Sequence, residues 1–562
     1  MKKWTKSCYA SMVDRQNSIP GATYDIPDYE NAEKLPRIPK LRMLAKVLIS
    51  RLVERHIVIV GDYDADGVMS MGIMLKGLIY LTRVAESLTN KKASTIELVV
   101  PDRFTDGYGF QIEQAQKIKD SVILLLDNGI SQNDAIQVAV DNNNEVFVVD
   151  HHEPGETLPK ANIIVNPHAV KGGEFDDFCA AGLSYRLIRA MFEDPSLGIK
   201  PEVIREAMEE FLFMAAIATV ADVVSMIYEN RVIVKNGLKK VPDHWKTITY
   251  TLLGQKKDSL NEVDVSFNIA PAINAAGRLG KLDADFVYKL ITEKDTAQIA
   301  DDMLYMNTLR KEETKKAMKE FGDLSNLDDS CFVYVAQKED IHAGVVGIVA
   351  GQISDKISRP VFIFGPEKDG MVTGSARAPK NTIHLKILLD KINQEKPGLL
   401  VKYGGHEGAA GVTVKKECLA EFETLTNTYG KYEKVEEEEV YDFELPNDGN
   451  APDWNTVYNG IASFGPFGEM NPPPVLKYTC TCRPQDISFI GKGETLKIRS
   501  GMNEILGFGM GKRISGNISQ TLECYGVLGI NNYKGGRIVQ MKLVDVVPVE
   551  KKKTAFNGKL AI

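Results

Sequence analysis

Three carboxylates stand within five residues directly behind an apolar run, and no other stretch of the chain constrains it as tightly. The run His56-Ile57-Val58-Ile59-Val60 reads as a buried strand. The stretch after it is Gly61-Asp62-Tyr63-Asp64-Ala65-Asp66-Gly67. Carboxylates this close repel one another and cost free energy unless a cation or a basic group offsets them. A helix N-cap needs one aspartate, and three exceed that need. The pattern points to a metal site on a turn that two glycines keep tight.

The same pattern recurs. Residues 96–100 run into a loop at 101–109 that carries Arg103; Val122–Leu126 ends in Asp127-Asn128-Gly129; Glu145–Val149 ends in Asp150-His151-His152. Helical stretches separate these runs, which predicts an α/β fold with a buried, mainly parallel sheet. Ligands of such sheets bind beyond the carboxyl ends of the strands. Asp64, Asp66, Asp127, His151 and His152 are expected to converge there. Adjacent side chains diverge, so one histidine of the pair ligates and the other is left for substrate. Asp150 or Asp62 beside the ligating imidazole fixes its tautomer. A helical pattern from Pro201 to about Val220 leads to Asp222, a carboxylate inside an apolar stretch. Burying it unpaired would cost on the order of several kcal/mol, so it needs a partner. Carboxylates mixed with imidazole suit Mn²⁺ or Mg²⁺ better than structural zinc.

Asp-Tyr-Asp-Ala-Asp-Gly at 62–67, Asp-Asn-Gly at 127–129, Asp-His-His at 150–152 and Ala-Thr-Val-Ala-Asp-Val at 218–223 resemble, in order, the four phosphoesterase motifs of the DHH superfamily. Ile-Ala-Pro-Ala-Ile-Asn-Ala-Ala-Gly-Arg-Leu at 269–279 resembles the fifth motif of the RecJ single-stranded-DNA exonucleases, and Leu304, Asn307, Arg310 and Lys311 fit that family's connecting helix. Ser375-Ala376-Arg377 and the Gly-rich run 404–411 resemble the DHH-associated domain, and Ser463 to Pro474 resembles the lead-in to an OB-fold. The resemblance covers about residues 45–550. It departs at Val60, where many superfamily members carry a histidine ligand, and at Ala378-Pro379-Lys380, where RecJ proteins commonly have a Ser-containing stretch.

Residues 1–44, where Pro20, Pro27, Pro36 and Pro39 break any long element, read as an N-terminal arm; the resemblance implies a parallel-sheet DHH catalytic domain at 45–280 and a connecting helix at 281–329. A second α/β, DHH-associated domain follows at 330–430, then an OB-like β-barrel at 431–550 and a basic tail at 551–562. The implied catalytic set is Asp62, Asp64, Asp66, Asp127, Asp150, His151, His152 and Asp222. Of these, Asp64, Asp66, Asp127, His151 and Asp222 hold one or two Mn²⁺ or Mg²⁺ ions. His152 contacts the scissile phosphate; Arg103, Arg278, Ser375 and Arg377 hold a 5′-terminal phosphate; Asn274, Gly404, Gly405 and His406 complete the substrate contacts. Candidate DNA contacts in the OB segment are Phe489, Lys492, Lys497, Arg499, Tyr533, Lys534 and Arg537. The implied activity is 5′-to-3′ hydrolysis of single-stranded DNA to 5′-mononucleotides by two-metal chemistry, in repair or recombination. Implied partners are a single-strand-binding protein or helicase, and the chain is expected to be monomeric.

Two other readings keep the motifs: a phosphodiesterase for short oligonucleotides or cyclic dinucleotides, and a non-catalytic DNA-binding scaffold. A net charge of −8 over 562 residues does not advertise DNA binding, but a basic channel can lie on an acidic protein. Seven scattered cysteines, with Cys480 and Cys482 the only close pair, give no disulfide framework or zinc knuckle. No apolar run reads as membrane-spanning and no leader is evident, so a cytoplasmic protein is expected.

Overall fold

The computed structural model describes residues 3–23, 35–105, 107–324, 327–328, 331–432, 438–446, 453–491, 493–511, 513–514, 520–531 and 538–549. They form two compact units. One holds residues 25–225 and 229–435, the other 1–24, 226–228 and 436–562.

The larger unit begins on a parallel sheet of β1 (His56–Val60), β2 (Thr95–Val99), β3 (Val122–Leu126), β4 (Glu145–Val149) and β5 (Ile163–Val165). Its spatial order is β2-β1-β3-β4-β5, every pair parallel. All five residues of β3 are buried, because helices cover both faces of a parallel sheet. The order reverses between β1 and β3, and the crevice at that reversal is where such sheets bind ligands. The carboxylate turn leads from β1 into α1 (Ala65–Thr89), and Asp127 follows β3. β5 escaped the sequence reading because three residues show no period.

Helix α1 is long and apolar enough to cross a membrane by length and composition, contrary to the expectation that no run was. The reason is packing: 72% of its apolar window is buried inside the fold, against α2 (Ala180–Phe192) and α3 (Pro201–Ala221). Next come α4 (Ala270–Arg278) and the connecting helix α5 (Ala297–Lys319). Ile299, Met303 and Met306 of α5 are buried at helical spacing, and Leu309 is half-buried.

A second sheet follows, with strands β6 (Tyr334–Gln337), β7 (Val361–Lys368), β8 (Met371–Arg377), β9 (Leu400–Gly405) and β10 (Ala409–Lys415). Its order is β9-β10-β8-β7-β6, with only β6 and β7 parallel. Helix α6 (Val346–Ile357) packs on it.

The smaller unit is built on a seven-stranded sheet. In spatial order its strands are Phe443–Leu445, Leu476–Cys482, Gln520–Asn531, Ile538–Pro548, Asn503–Gly507, Thr495–Ser500 and Ile487–Ile490. Among the described residues the two outer strands do not pair with each other, the partly open form an OB-fold takes. Cys480, Cys482 and Cys524 lie in its core as free thiols.

The stretch expected as an N-terminal arm is divided. Lys3–Lys6 pairs in parallel with Glu438–Tyr441. Trp4 stacks on Tyr525 at 4.1 Å, and its indole N–H donates to Asp545 at 3.1 Å. Arg15 donates to the Asp442 carboxylate at 3.0 Å, with both side chains largely buried. The end of that stretch enters a helix, Leu41–Ile49, in the larger unit.

Candidate active site

Each site residue has a local reason for its position. The Asp64 side chain caps α1: Oδ1 accepts from the N–H groups of Asp66 at 2.9 Å and Gly67 at 3.1 Å. Asp66 is held by the first turn of α2, where Ala180 N–H donates to Oδ2 at 2.7 Å and Ala181 N–H to Oδ1 at 2.8 Å. Asp127 leaves β3 with φ of 61°, and Val223, just after Asp222 at the end of α3, takes φ of 59°. The left-handed region is costly for a β-branched residue, and such strain collects at functional sites. Asp150 is fully buried and saturated. It accepts from the backbone of Ile130 (3.0 Å), His151 (2.7 Å) and His152 (3.1 Å), and pairs with His152 Nδ1 at 2.8 Å.

These side chains converge. His151 Nε2 lies 3.3 Å from Asp127 Oδ1 and 3.6 Å from both Asp66 Oδ2 and Asp222 Oδ2. Donors about 2.1–2.2 Å from one cation and about a right angle apart would stand about 3 Å from each other, close to this spacing. Asp62, Asp64 and Asp127 bring carboxylate oxygens within 4.8 Å of one another. That group shares no residue with the group of Asp66, His151 and Asp222, so the donor set has room for two ions. Asp62 Oδ1 and Asp127 Oδ1 are buried and find no hydrogen-bond partner among the described residues, as oxygens meant for a cation would.

The electrostatics agree with this fit. Burial first, and neighbouring carboxylates second, hold Asp62, Asp127 and Asp222 well above the usual carboxylate range and Asp66 up to about 6. Such a cluster stays ionised only with positive charge among it. Burial, then His152, pushes His151 down to about 3, leaving a neutral imidazole able to ligate. Burial opposes charge on His152, yet the Asp150 hydrogen bond and charge lift it to about 9. Burial also works to raise Asp150, but the His152 bond and charge outweigh it and bring the carboxyl down to about 2.

A cationic side faces the carboxylates. Arg103 lies over the Tyr63 ring, 4.9 Å from its centroid. Burial, then Arg103 and Arg310, brings Arg278 down to about 10; burial, then Arg103, lowers Arg377. Arg377 donates to Ser375 Oγ at 3.0 Å. Among the described residues none of these four arginines is in an ion pair, an arrangement that leaves them for an anion. Gly347, in the first turn of α6, leaves space beside Ser375 Oγ and Arg377, where a Cβ would lie 3.2 and 3.3 Å away. Gly404 and Gly405 end β9, and Gly405 takes φ of 144°. His406, next in that hairpin, lies near enough to depress His151 further. The structure thus gathers the carboxylates and histidines on one side and Arg103, Arg278, Ser375 and Arg377 on the other. It places Asn274 at the carboxylate turn, with Oδ1 2.7 Å from Ala65 N.

Sequence reasoning left out Tyr108, whose hydroxyl donates to the Asp127 carbonyl at 3.1 Å and contacts His152. Only its place in the 101–109 loop hinted at it. Arg310 was placed only in the connecting helix; Asn307 Oδ1, accepting two bonds at 2.8 and 3.1 Å, holds its guanidinium. In the OB segment Phe489 is 39% exposed, Arg499 is exposed, and Lys497 is paired with Glu504 at 2.7 Å. Lys492, Tyr533, Lys534 and Arg537 lie outside the described residues, as does the basic tail.

Residues 56–217 match the family model for the DHH family, N-terminal domain; 328–429 match the DHHA1 domain and 441–545 the RecJ OB domain. A Haemophilus influenzae protein named single-stranded-DNA-specific exonuclease RecJ is 29% identical over 527 residues, covering 88% of each chain. The structure of RecJ in complex with Mn²⁺ from Thermus thermophilus matches with a TM-score of 0.74 and 25% identity, over 93% of this chain and 74% of that one. Another exonuclease RecJ structure, bound to manganese, matches with a TM-score of 0.56 and 28% identity, over 70% of this chain and 95% of that one.

Proposed function

The chain is a RecJ-like member of the DHH phosphoesterase superfamily, and from that premise we propose that it degrades single-stranded DNA from the 5′ end by metal-dependent phosphodiester hydrolysis. The observation that carries the proposal is the juxtaposition of the carboxylate–His151 cluster with four arginines that are in no ion pair among the described residues. One face asks for cations, the other for a phosphate.

Asp64, Asp66, Asp127, His151 and Asp222 would hold one or two Mn²⁺ or Mg²⁺ ions, with Asp62 beside them. When bound, such ions neutralise charge on the scissile phosphate and activate water. The chain's own residues do the rest. Asp150 keeps His152 protonated and oriented, so that a cation meets the charge that develops on the phosphate. Arg103, Arg278, Arg377 and Ser375 take the terminal phosphate, with bidentate contacts that suit a planar guanidinium. Holding the 5′ end there sets which bond is presented for cleavage. Water adds to phosphorus, the bond to the 3′ oxygen breaks, and a 5′-mononucleotide leaves. The RecJ OB match over 441–545 supports a long strand as substrate over a dinucleotide.

We assign catalysis to residues 45–280 and 330–430, joined by 281–329, and strand binding to 431–550, with residues 3–23 grouped with that part. The tail 551–562 is left without a role. We place the enzyme in the cytoplasm as a monomer, working beside a single-strand-binding protein or helicase. Mononucleotide release from a single strand and from the same strand in a duplex, each with Mn²⁺ and with EDTA, tests the reading. Release from the single strand only with Mn²⁺ is expected. Equal release from the duplex, or release in EDTA, would sink it.

A further inference from the structure

The N–H groups of Ala65, Asp66 and Gly67 open α1 and have no partner inside the helix. Asp64 Oδ1 takes two of them, from Asp66 and Gly67. The third comes from Ala65, which is only 1% exposed and so cannot turn to water. It donates to Asn274 Oδ1 at 2.7 Å, from a residue 209 positions away. Without that acceptor the buried Ala65 N–H would be left unpaired at the foot of the turn that carries Asp64 and Asp66. One turn further along α4, Gly277 abuts the same loop: a Cβ there would lie 2.2 Å from the Tyr63 carbonyl oxygen. Helix α4 therefore holds the carboxylate turn at two points. One lone pair of the Asn274 oxygen is thereby committed to protein backbone.

We propose that Asn274 is a positioning residue of the carboxylate turn, fixing the direction of Asp64 and Asp66 through Ala65, and not a contact for DNA. This rests on the reading of the turn as a Mn²⁺ or Mg²⁺ site. The test titrates the full chain with Mn²⁺ by calorimetry, without DNA. Binding of a 5′-phosphorylated single strand in EDTA is measured separately by fluorescence anisotropy. Asn274→Ala is expected to weaken Mn²⁺ binding about tenfold, the usual loss for a residue that orients a ligand, and to leave strand affinity unchanged. Asn274→Asp keeps the accepting oxygen and is expected to hold Mn²⁺ as tightly as the wild type. Unchanged Mn²⁺ affinity in Asn274→Ala overturns the proposal, as does loss of strand affinity in both variants. If Asn274→Ala fails to fold, Asn274→Asp decides alone: weak Mn²⁺ binding overturns the proposal, tight binding supports it. A wild-type chain that takes up no Mn²⁺ overturns the metal reading, and the proposal with it.

Discussion

Replacing Gly277 by Ala presses on the carboxylate turn without altering any carboxylate. The added Cβ would lie 2.2 Å from the Tyr63 carbonyl oxygen. An ordinary carbon–oxygen contact needs about 3.2 Å or more, so the gap must open by about 1 Å. The turn has little room to yield, since Asp62 and Asp66 on either side of Tyr63 and Asp64 are 3% and 1% exposed. Alanine gains about 1 kcal/mol over glycine within a helix, while forcing an extra carbon into a filled space costs about 1–3 kcal/mol. The net effect on stability is a loss of about 0–2 kcal/mol, small enough for the fold to survive. The effect on rate is larger, because a displacement of about 1 Å at a reacting centre costs about 100-fold. Single-turnover cleavage of a labelled single strand at saturating Mn²⁺, beside a thermal melt in EDTA, separates the two effects. A wild-type rate in Gly277→Ala would refute the claim that α4 braces the turn.

Three further outcomes follow from the same geometry. Asp127→Ala is expected to abolish cleavage yet melt no lower than wild type in EDTA, because it relieves a buried carboxylate that neighbouring carboxylates repel; normal turnover would remove Asp127 from the site. The Asp150 carboxyl is brought down to about 2 from an ordinary 3.8, so its stabilisation is full above about pH 4 and lost as pH falls toward about 2; Asp150→Asn is expected to flatten that acid limb, to lower the metal-free melt at pH 7 and to bring the NMR-measured pKa of His152 down from about 9, and an unmoved His152 would contradict the pairing. Arg15→Ala breaks a buried ion pair with Asp442 and is expected to destabilise the smaller unit by about 3 kcal/mol; protease resistance of residues 440–550 equal to wild type would show that the N-terminal segment contributes nothing there.

The candidate site was legible in the sequence because its residues come in short contiguous runs. Asp62 to Asp66, Asp127 and the Asp150 to His152 run each follow an apolar strand, and the parallel sheet brings the strand ends together without further instruction. What it hid is long-range. The bond from Ala65 to Asn274 spans 209 positions, and the one from Trp4 to Asp545 spans 541. Neither leaves a local pattern, so the arm expected at 1–44 gave no sign of the pairing of Lys3–Lys6, and nothing in the sequence tied Asn274 to the carboxylate turn. Helix α1 passes for a membrane span by length and composition, which the sequence reading did not register, because a helix buried on most sides is apolar all round. Tyr108 reaches Asp127 from a loop whose course no periodicity describes.

Digestion of one single strand labelled at the 5′ end or the 3′ end, with Mn²⁺ or with EDTA, is the most direct test of a 5′-to-3′ metal-dependent exonuclease. Early release of labelled mononucleotide from the 5′-labelled strand alone, and only with Mn²⁺, is the expected result. Early release from the 3′ label, or release of any mononucleotide in EDTA, would contradict it.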